Sequence, residues 1–155
     1  MNENKTLTAY QTKGGATKEA AIKIADVLRS KYQLDVDFLD LKKQKVPDQA
    51  QYKKIFIGGG VRAGKVYGKT LKFLEKNLRD KKVAFFVSSS WAGTPEMTMQ
   101  KPSSSKKLSK YLYDNSVSTE AFGGRIRYFR KTTVDNTDLI KAETWAEQLG
   151  KKFTQ

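Results

Sequence analysis

Cysteine and histidine are both absent from the chain. Their absence removes disulfides, thiol nucleophiles, zinc-finger spacings, imidazole metal ligands and every catalytic triad built on an imidazole base. No metal site is expected. Long apolar runs are missing too: Met1 to Tyr10 holds no stretch of signal-peptide length, and no later segment approaches the length needed to cross a bilayer. The expected location is cytoplasmic, with at most peripheral membrane contact through charge. Any catalysis must draw on carboxylates, lysines, hydroxyls or a borrowed cofactor, and a cofactor is the simplest source.

Acidic residues are scarce relative to basic ones. Thirty Lys and Arg stand against sixteen Asp and Glu, a net charge of +14. Such a surface attracts phosphate, anionic lipid, nucleic acid or acidic protein. With 155 residues, 38% hydrophobic and 11% aromatic, the chain has the apolar content for one globular domain over residues 1–155.

Short apolar runs alternate with segments of helical period, the pattern of a parallel sheet covered by helices on both faces. Five strands are expected, at Lys5–Tyr10, Leu34–Leu41, Lys54–Gly58, Lys82–Ser88 and Val117–Phe122. Ile55 to Ile57 and Val83 to Val87 are continuously apolar, as in strands buried on both faces. Leu34, Val36 and Phe38 alternate with Asp35 and Asp37, and Val117–Phe122 carries Ser118 and Glu120, so these two strands suit the edges. Edge status for the second and fifth strands matches the order 2-1-3-4-5 of an α/β three-layer sandwich, the expected fold.

Helical stripes lie at Ala20, Ile24, Val27 and Leu28, and at Tyr67, Leu71, Leu74 and Leu78. Leu108, Tyr111 and Leu112 suggest a short helix. A closing helix carries Leu139, Ala142, Ala146, Leu149 and Phe153, with Thr137 or Asp138 as its cap. Lys42–Gln51, with Pro47, reads as a loop or single turn, and Thr94–Ser105 as a long surface loop.

Three loops after strands can carry chemistry. Thr12, Lys13, Gly14, Gly15, Ala16 and Thr17 join the first strand to the first helix. Glycines let the backbone approach a phosphate, the two threonines offer hydroxyls, and a helix amino terminus supplies unpaired N–H groups. The alternative is a plain turn with Thr17 as N-cap. After the third strand come Gly58, Gly59, Gly60, Val61, Arg62, Ala63, Gly64 and Lys65, a glycine-rich segment at the switch point between strands one and three, where open α/β sheets bind ligands. It can equally be a connecting turn. Gly59, Gly64 and Lys65 nearly spell a triphosphate loop, but Val66 stands where a magnesium-binding hydroxyl is needed. After the fourth strand, Ser88, Ser89, Ser90, Trp91, Ala92 and Gly93 set small polar residues around an aromatic that can border a planar ring or pack over the sheet.

Tyr10, Thr12, Gly15, Thr17 and Lys18, then Gly58–Gly64, then Phe73, Leu74 and Asn77, together resemble the flavodoxin-like superfamily, and within it the flavodoxin-like, menaquinone-dependent protoporphyrinogen oxidase family. The likeness continues through Lys81 to Phe86, through Phe122 to Tyr128, and ends at Trp145. What it implies is noncovalent flavin mononucleotide (FMN), its phosphate on Thr12–Thr17 and its ring between Gly60–Gly64 and Ser88–Gly93. The partners implied are a redox protein, a quinone or a small-molecule donor, with no specific nucleic acid. Two departures stand out. The oxidase branch carries a long aromatic and basic insertion near the last strand, whereas here Tyr128–Asp138 is expected to run directly to the last helix. Electron-carrier flavodoxins are acidic, and this chain is basic. Three functions remain open: a flavin oxidoreductase of the oxidase type, a basic flavodoxin-type electron carrier, and a cofactor-free module of this fold that binds polyanions, for which Arg125, Arg127, Arg130 and Lys131 form a candidate cluster or a solvated edge.

Overall fold

A computed structural model of the chain describes residues 5–12, 15–62, 65–66, 68–74, 78, 80–88, 117–128, 131–135 and 137–154; for 61–62, 65–66, 71, 125–128 and 132–134 it describes the backbone alone. The elements are β1 (Lys5–Gln11), α1 (Ala16–Tyr32), β2 (Asp35–Asp40), a single 3-10 turn (Gln49–Gln51), β3 (Lys54–Arg62), β4 (Lys65–Val66), α2 (Gly68–Leu74), β5 (Lys82–Ser88), β6 (Ser118–Ala121), β7 (Arg125–Tyr128), β8 (Lys131–Asp135) and α3 (Leu139–Thr154). The expected short helix at Leu108–Leu112 and the loop at Thr94–Ser105 lie outside the described residues.

The main sheet runs β2-β1-β3-β5-β6, all parallel. This is the flavodoxin-like order expected from strand composition: the continuously apolar β3 and β5 sit inside, and the alternating β2 and β6 form the edges. Side-chain alternation splits the core in two. Tyr10, Phe56, Ala84 and Phe86 face α1 and α3, together with Phe122, Trp145 and Phe153. Leu7, Ala9, Ile55, Ile57, Phe85 and Val87 face α2 and the segment after β2, meeting Phe73 and Leu74. On the first side Trp145 stands edge-on to Phe56, Phe86 and Phe122 at centroid distances of 6.0, 6.1 and 5.5 Å. Each such pair contributes about 0.5–1.5 kcal/mol beyond area burial.

β2 uses its aspartates as acceptors. The Tyr52 hydroxyl donates to Asp37 Oδ2 at 2.6 Å, and the Tyr10 hydroxyl to Asp40 Oδ2 at 3.4 Å. Tyr10 also stacks on Phe38, 5.0 Å between centroids. The alternation that marks β2 as an edge therefore also ties it down. Burial first, then Asp40, pushes the Tyr10 phenol up to about 12, and burial with Asp37 pushes Tyr52 upward as well.

Two parts depart from expectation. β3 does not stop at Gly58 but continues to Arg62 and folds back onto β4, with Val61 opposite Val66 and Arg62 opposite Lys65. Nor does the chain run directly from Tyr128 to the last helix. β7 and β8 form an antiparallel hairpin with a bulge after Ile126, and the excursion closes where the Asp138 N–H donates to the Phe122 carbonyl at 2.7 Å. Ile126, Thr132, Thr133 and Val134 are β-branched, which suits a strand pair. Asp138 then caps α3, its Oδ1 accepting from the Lys141 N–H at 2.9 Å. Among the described residues no helix is long and apolar enough to cross a membrane.

α1 and α3 lie side by side, joined by the Tyr32 hydroxyl donating to the Glu147 carbonyl at 2.7 Å and by the Lys31–Glu147 ion pair. A glycine makes the approach possible: a Cβ on Gly150 would sit 2.4 Å from the Tyr32 ring. Gly150→Ala is therefore expected to lower stability by about 1–3 kcal/mol through overpacking, although alanine gains ~1 kcal/mol in helix propensity. A urea midpoint that rises instead would show that the helices are not in contact there. A second expectation concerns alkali. Because the Tyr10 pKa is higher folded than unfolded, its contribution is complete below about pH 10 and is lost as pH climbs through about 12. Tyr10→Phe should flatten that part of the stability-against-pH curve, followed by denaturant titration beside tyrosinate absorbance; an unchanged slope would refute the assignment.

Candidate functional site

β1 and β3 are neighbours whose following helices pack on opposite faces, α1 against one core and α2 against the other. A crevice therefore opens beyond their carboxyl ends, the place where open α/β sheets take ligands.

On the β1 side the chain turns sharply into α1. Gly15 is the N-cap, at φ 92° and ψ −12°. That left-handed conformation favours glycine strongly over any residue with a Cβ. The Gly15 N–H donates to Thr12 Oγ1 at 2.9 Å, closing the turn. Because a hydroxyl has two lone pairs and one proton, Thr12 keeps its O–H for a second partner. Among the described residues no side chain caps α1. Its first intrahelical bond is Glu19 N–H to Gly15 carbonyl, so the N–H groups of Ala16, Thr17 and Lys18 point out of the helix without a helical acceptor. Thr17 is 1% exposed and lies within the first turn, which removes the reading of Thr17 as N-cap.

On the β3 side the glycines prove to be strand residues first. Gly58, Gly59 and Gly60 pair in register with Phe86, Val87 and Ser88 of β5. A Cβ on Gly58 would lie 2.1 Å from the Phe86 ring, and one on Gly59 would lie 2.7 Å from Thr70 Oγ1. Phe86 thus lies across Gly58, and Thr70 packs on Gly59 while donating to the Gly58 carbonyl at 3.1 Å. Of the expected Gly58–Gly64 loop, residues 58–62 are therefore strand, and Ala63 and Gly64 lie outside the described residues. Lys65 stands on an antiparallel strand instead of opening a helix, so the near-match to a triphosphate loop fails on geometry as well as on Val66.

At the end of β5, Ser88 is 5% exposed and its Oγ has no hydrogen-bond partner among the described residues. An orphaned buried hydroxyl costs roughly 1–3 kcal/mol unless something satisfies it. Two residues that the sequence does not single out complete the frame. Gln11, the last residue of β1, accepts the Lys69 N–H on its Oε1 at 3.0 Å, tying β1 to the first turn of α2; Thr70 anchors the same helix to β3. Both contacts join residues far apart in sequence.

The structure thus brings Thr12, Gly15, Ala16, Thr17, Gly60 and Ser88, with the backbone of Val61 and Arg62, to the carboxyl ends of β1, β3 and β5. Lys13, Gly14, Ala63, Gly64, Ser89, Ser90, Trp91, Ala92 and Gly93 lie outside the described residues. Gly58→Ala is expected to depress the apoprotein melting temperature sharply, as an overpacked core position does. Unchanged melting with only ligand affinity reduced would move that glycine from the core to the site.

The sequence profile of the Flavodoxin domain family matches residues 7–148. Among curated proteins none matches the chain significantly. Similar solved structures include oxidised flavodoxin 2 from Bacillus cereus, at 20% identity and TM-score 0.68, covering 96% of this chain and 99% of that one. Fusobacterium nucleatum flavodoxin bound to flavin mononucleotide aligns at 13% identity and TM-score 0.61, covering 96% and 98%. Rubredoxin oxygen:oxidoreductase from Desulfovibrio gigas aligns at 16% identity and TM-score 0.66 over 97% of this chain, which spans 36% of that protein. At these identities the structures speak for the fold, while the profile covers most of the chain. The chain belongs to the flavodoxin-domain family.

Proposed function

We propose that this protein binds FMN noncovalently at the carboxyl end of its sheet and serves as an electron carrier to a redox partner protein. The observation that carries the reading is the amino terminus of α1 behind the Gly15 turn, which no side chain among the described residues caps. A monophosphate ester suits it, because a dianion there accepts the first-turn N–H groups and meets the positive end of the helix dipole. The Thr12 hydroxyl would donate to the same group while its oxygen holds the turn. Gly60–Gly64 and Ser88–Gly93 would flank the isoalloxazine ring, with Ser88 Oγ, which has no partner among the described residues, offering one polar contact. FMN, the cofactor implied by the family, supplies one- and two-electron redox chemistry when bound. The chain's own part is to hold, orient and shield it.

The electron-carrier reading is preferred over a protoporphyrinogen oxidase. Nothing in the comparisons points to that oxidase branch, and in place of a long insertion the chain has only the β7–β8 hairpin. The oxygen reductase from D. gigas is a far longer chain, so its activity is not carried over. A cofactor-free polyanion binder differs from both in one respect: it would leave FMN unbound.

Thr12→Ala removes the turn bond and the phosphate donor together, and is expected to weaken FMN binding roughly ten- to a hundredfold, as loss of hydrogen bonds to a charged group does. Flavin fluorescence quenching measures the affinity, and circular dichroism confirms that the apoprotein still folds. Wild-type affinity in both Thr12→Ala and Ser88→Ala would place the cofactor elsewhere or nowhere.

A further inference from the structure

The two outer strands of the main sheet each bond to one neighbour only, so half of their backbone groups face away from the ladder. Just past β2 the Leu41 N–H donates to the Tyr10 carbonyl at 2.8 Å, on the β1 side. Successive residues alternate in direction, so the groups of Val36, Phe38 and Asp40 point outward. Side chains and a turn occupy both ends of this rim. Arg29, exposed in the last turn of α1, donates from Nη2 to the Val36 carbonyl at 2.7 Å. Gln44 Oε1 accepts the Asp40 N–H at 2.8 Å, and the Lys43 and Gln44 N–H groups donate to the Asp40 carbonyl at 3.1 and 2.9 Å. Among the described residues the Val36 N–H and both groups of Phe38 have no hydrogen-bond partner. The opposite edge follows the same pattern. The Phe122 N–H donates to the Val87 carbonyl at 3.1 Å, which turns Ala121 outward. Glu120 Oε1 accepts the Ala121 N–H at 3.0 Å and is itself paired with Lys141 at 3.2 Å.

We propose that Arg29 is an edge guard: its guanidinium sits on the outer rim of β2 and keeps the β2 of a second copy of this chain from pairing with it. Strand addition needs several outward groups in succession. With the Val36 carbonyl and both groups of Asp40 taken, Phe38 stands alone between closed positions, too little for a ladder. Removing Arg29 opens the Val36 carbonyl and leaves a continuous row from Val36 to Phe38. The guanidinium also opposes pairing by charge, because a joint between two rims would bury it. The occupant held off is another copy because its identical edge is present at equal concentration, and an edge paired antiparallel with itself closes about a twofold axis. Pairing with the β6 edge of another copy is disfavoured by the Glu120–Lys141 closure at Ala121. The inference does not depend on FMN.

The test compares the full chain with Arg29→Ala and with Arg29→Met, which keeps the apolar stem and removes the donor. Lys31→Ala is the control, since Lys31 lies in the same turn of α1 but holds Glu147 on α3 and not the rim. Circular dichroism checks folding, and sedimentation equilibrium gives the mass as concentration rises. Wild type and Lys31→Ala should sediment alike throughout, whereas both Arg29 variants should approach about twice that mass. Hydrogen exchange followed by NMR locates the joint: the Phe38 amide, open in the wild type, should gain protection in the Arg29 variants in step with the dimer. Arg29 variants that lose stability yet sediment as wild type does would make Arg29 a closure of the α1–β2 turn and overturn the proposal. So would a dimer in which the Phe38 amide exchanges as fast as before, a wild type whose Phe38 amide is already protected in the same way, or a failure of both variants to fold.

Discussion

Everything at the carboxyl pole depends on one backbone turn. Gly15 at φ 92° lets β1 end and α1 begin within a few residues, and the Thr12 hydroxyl holds the turn by accepting the Gly15 N–H. An ordinary N-cap would spend a side chain on the first-turn N–H groups; here no side chain among the described residues caps them. The helix therefore presents a cluster of donors to whatever enters the crevice, and their collective partial charge selects an anion.

A second constraint supports the first. For β1 and β3 to stay in register up to the crevice, the sheet must be dense beneath it, and the glycines of β3 supply that density. Gly58 gives its space to Phe86, which joins the Trp145 cluster, and Gly59 gives its space to Thr70, which fastens α2. Backbone economy at the switch point thus serves packing before it serves a ligand, and Gly60, one residue further, is where the strand reaches Ser88 and the crevice.

Sequence made the architecture legible where burial is two-sided or one-sided along a whole strand. Val83 to Val87 reads as an interior strand because both faces are apolar, and Val36 and Phe38 read as an edge because aspartates intervene. The turn at Thr12–Thr17 was legible for the same kind of reason, its glycines and threonines being local requirements of a strand-to-helix turn. The rest was hidden because its causes are distant. Gly58 reads as loop until Phe86, on another strand, is placed across it. Gln11 and Thr70 carry no local mark, since each earns its role from a partner that only the tertiary fold supplies. The β7–β8 hairpin was missed because arginines interrupt its β-branched residues and mask the strand period.

The same division applies to charge. A net +14 is visible in composition, but which lysines are bonded to carbonyls or carboxylates, as Lys5, Lys81 and Lys82 are, appears only in the fold. The account as a whole stands on the α1 donors meeting a phosphate. Amide-resolved NMR of the isotopically labelled protein during an FMN titration tests this directly. The N–H signals of Gly15, Ala16 and Thr17 should move furthest, followed by those of Gly60 and Ser88; if these five stay still while FMN binds at another surface, or if no signal moves at all, the account is wrong.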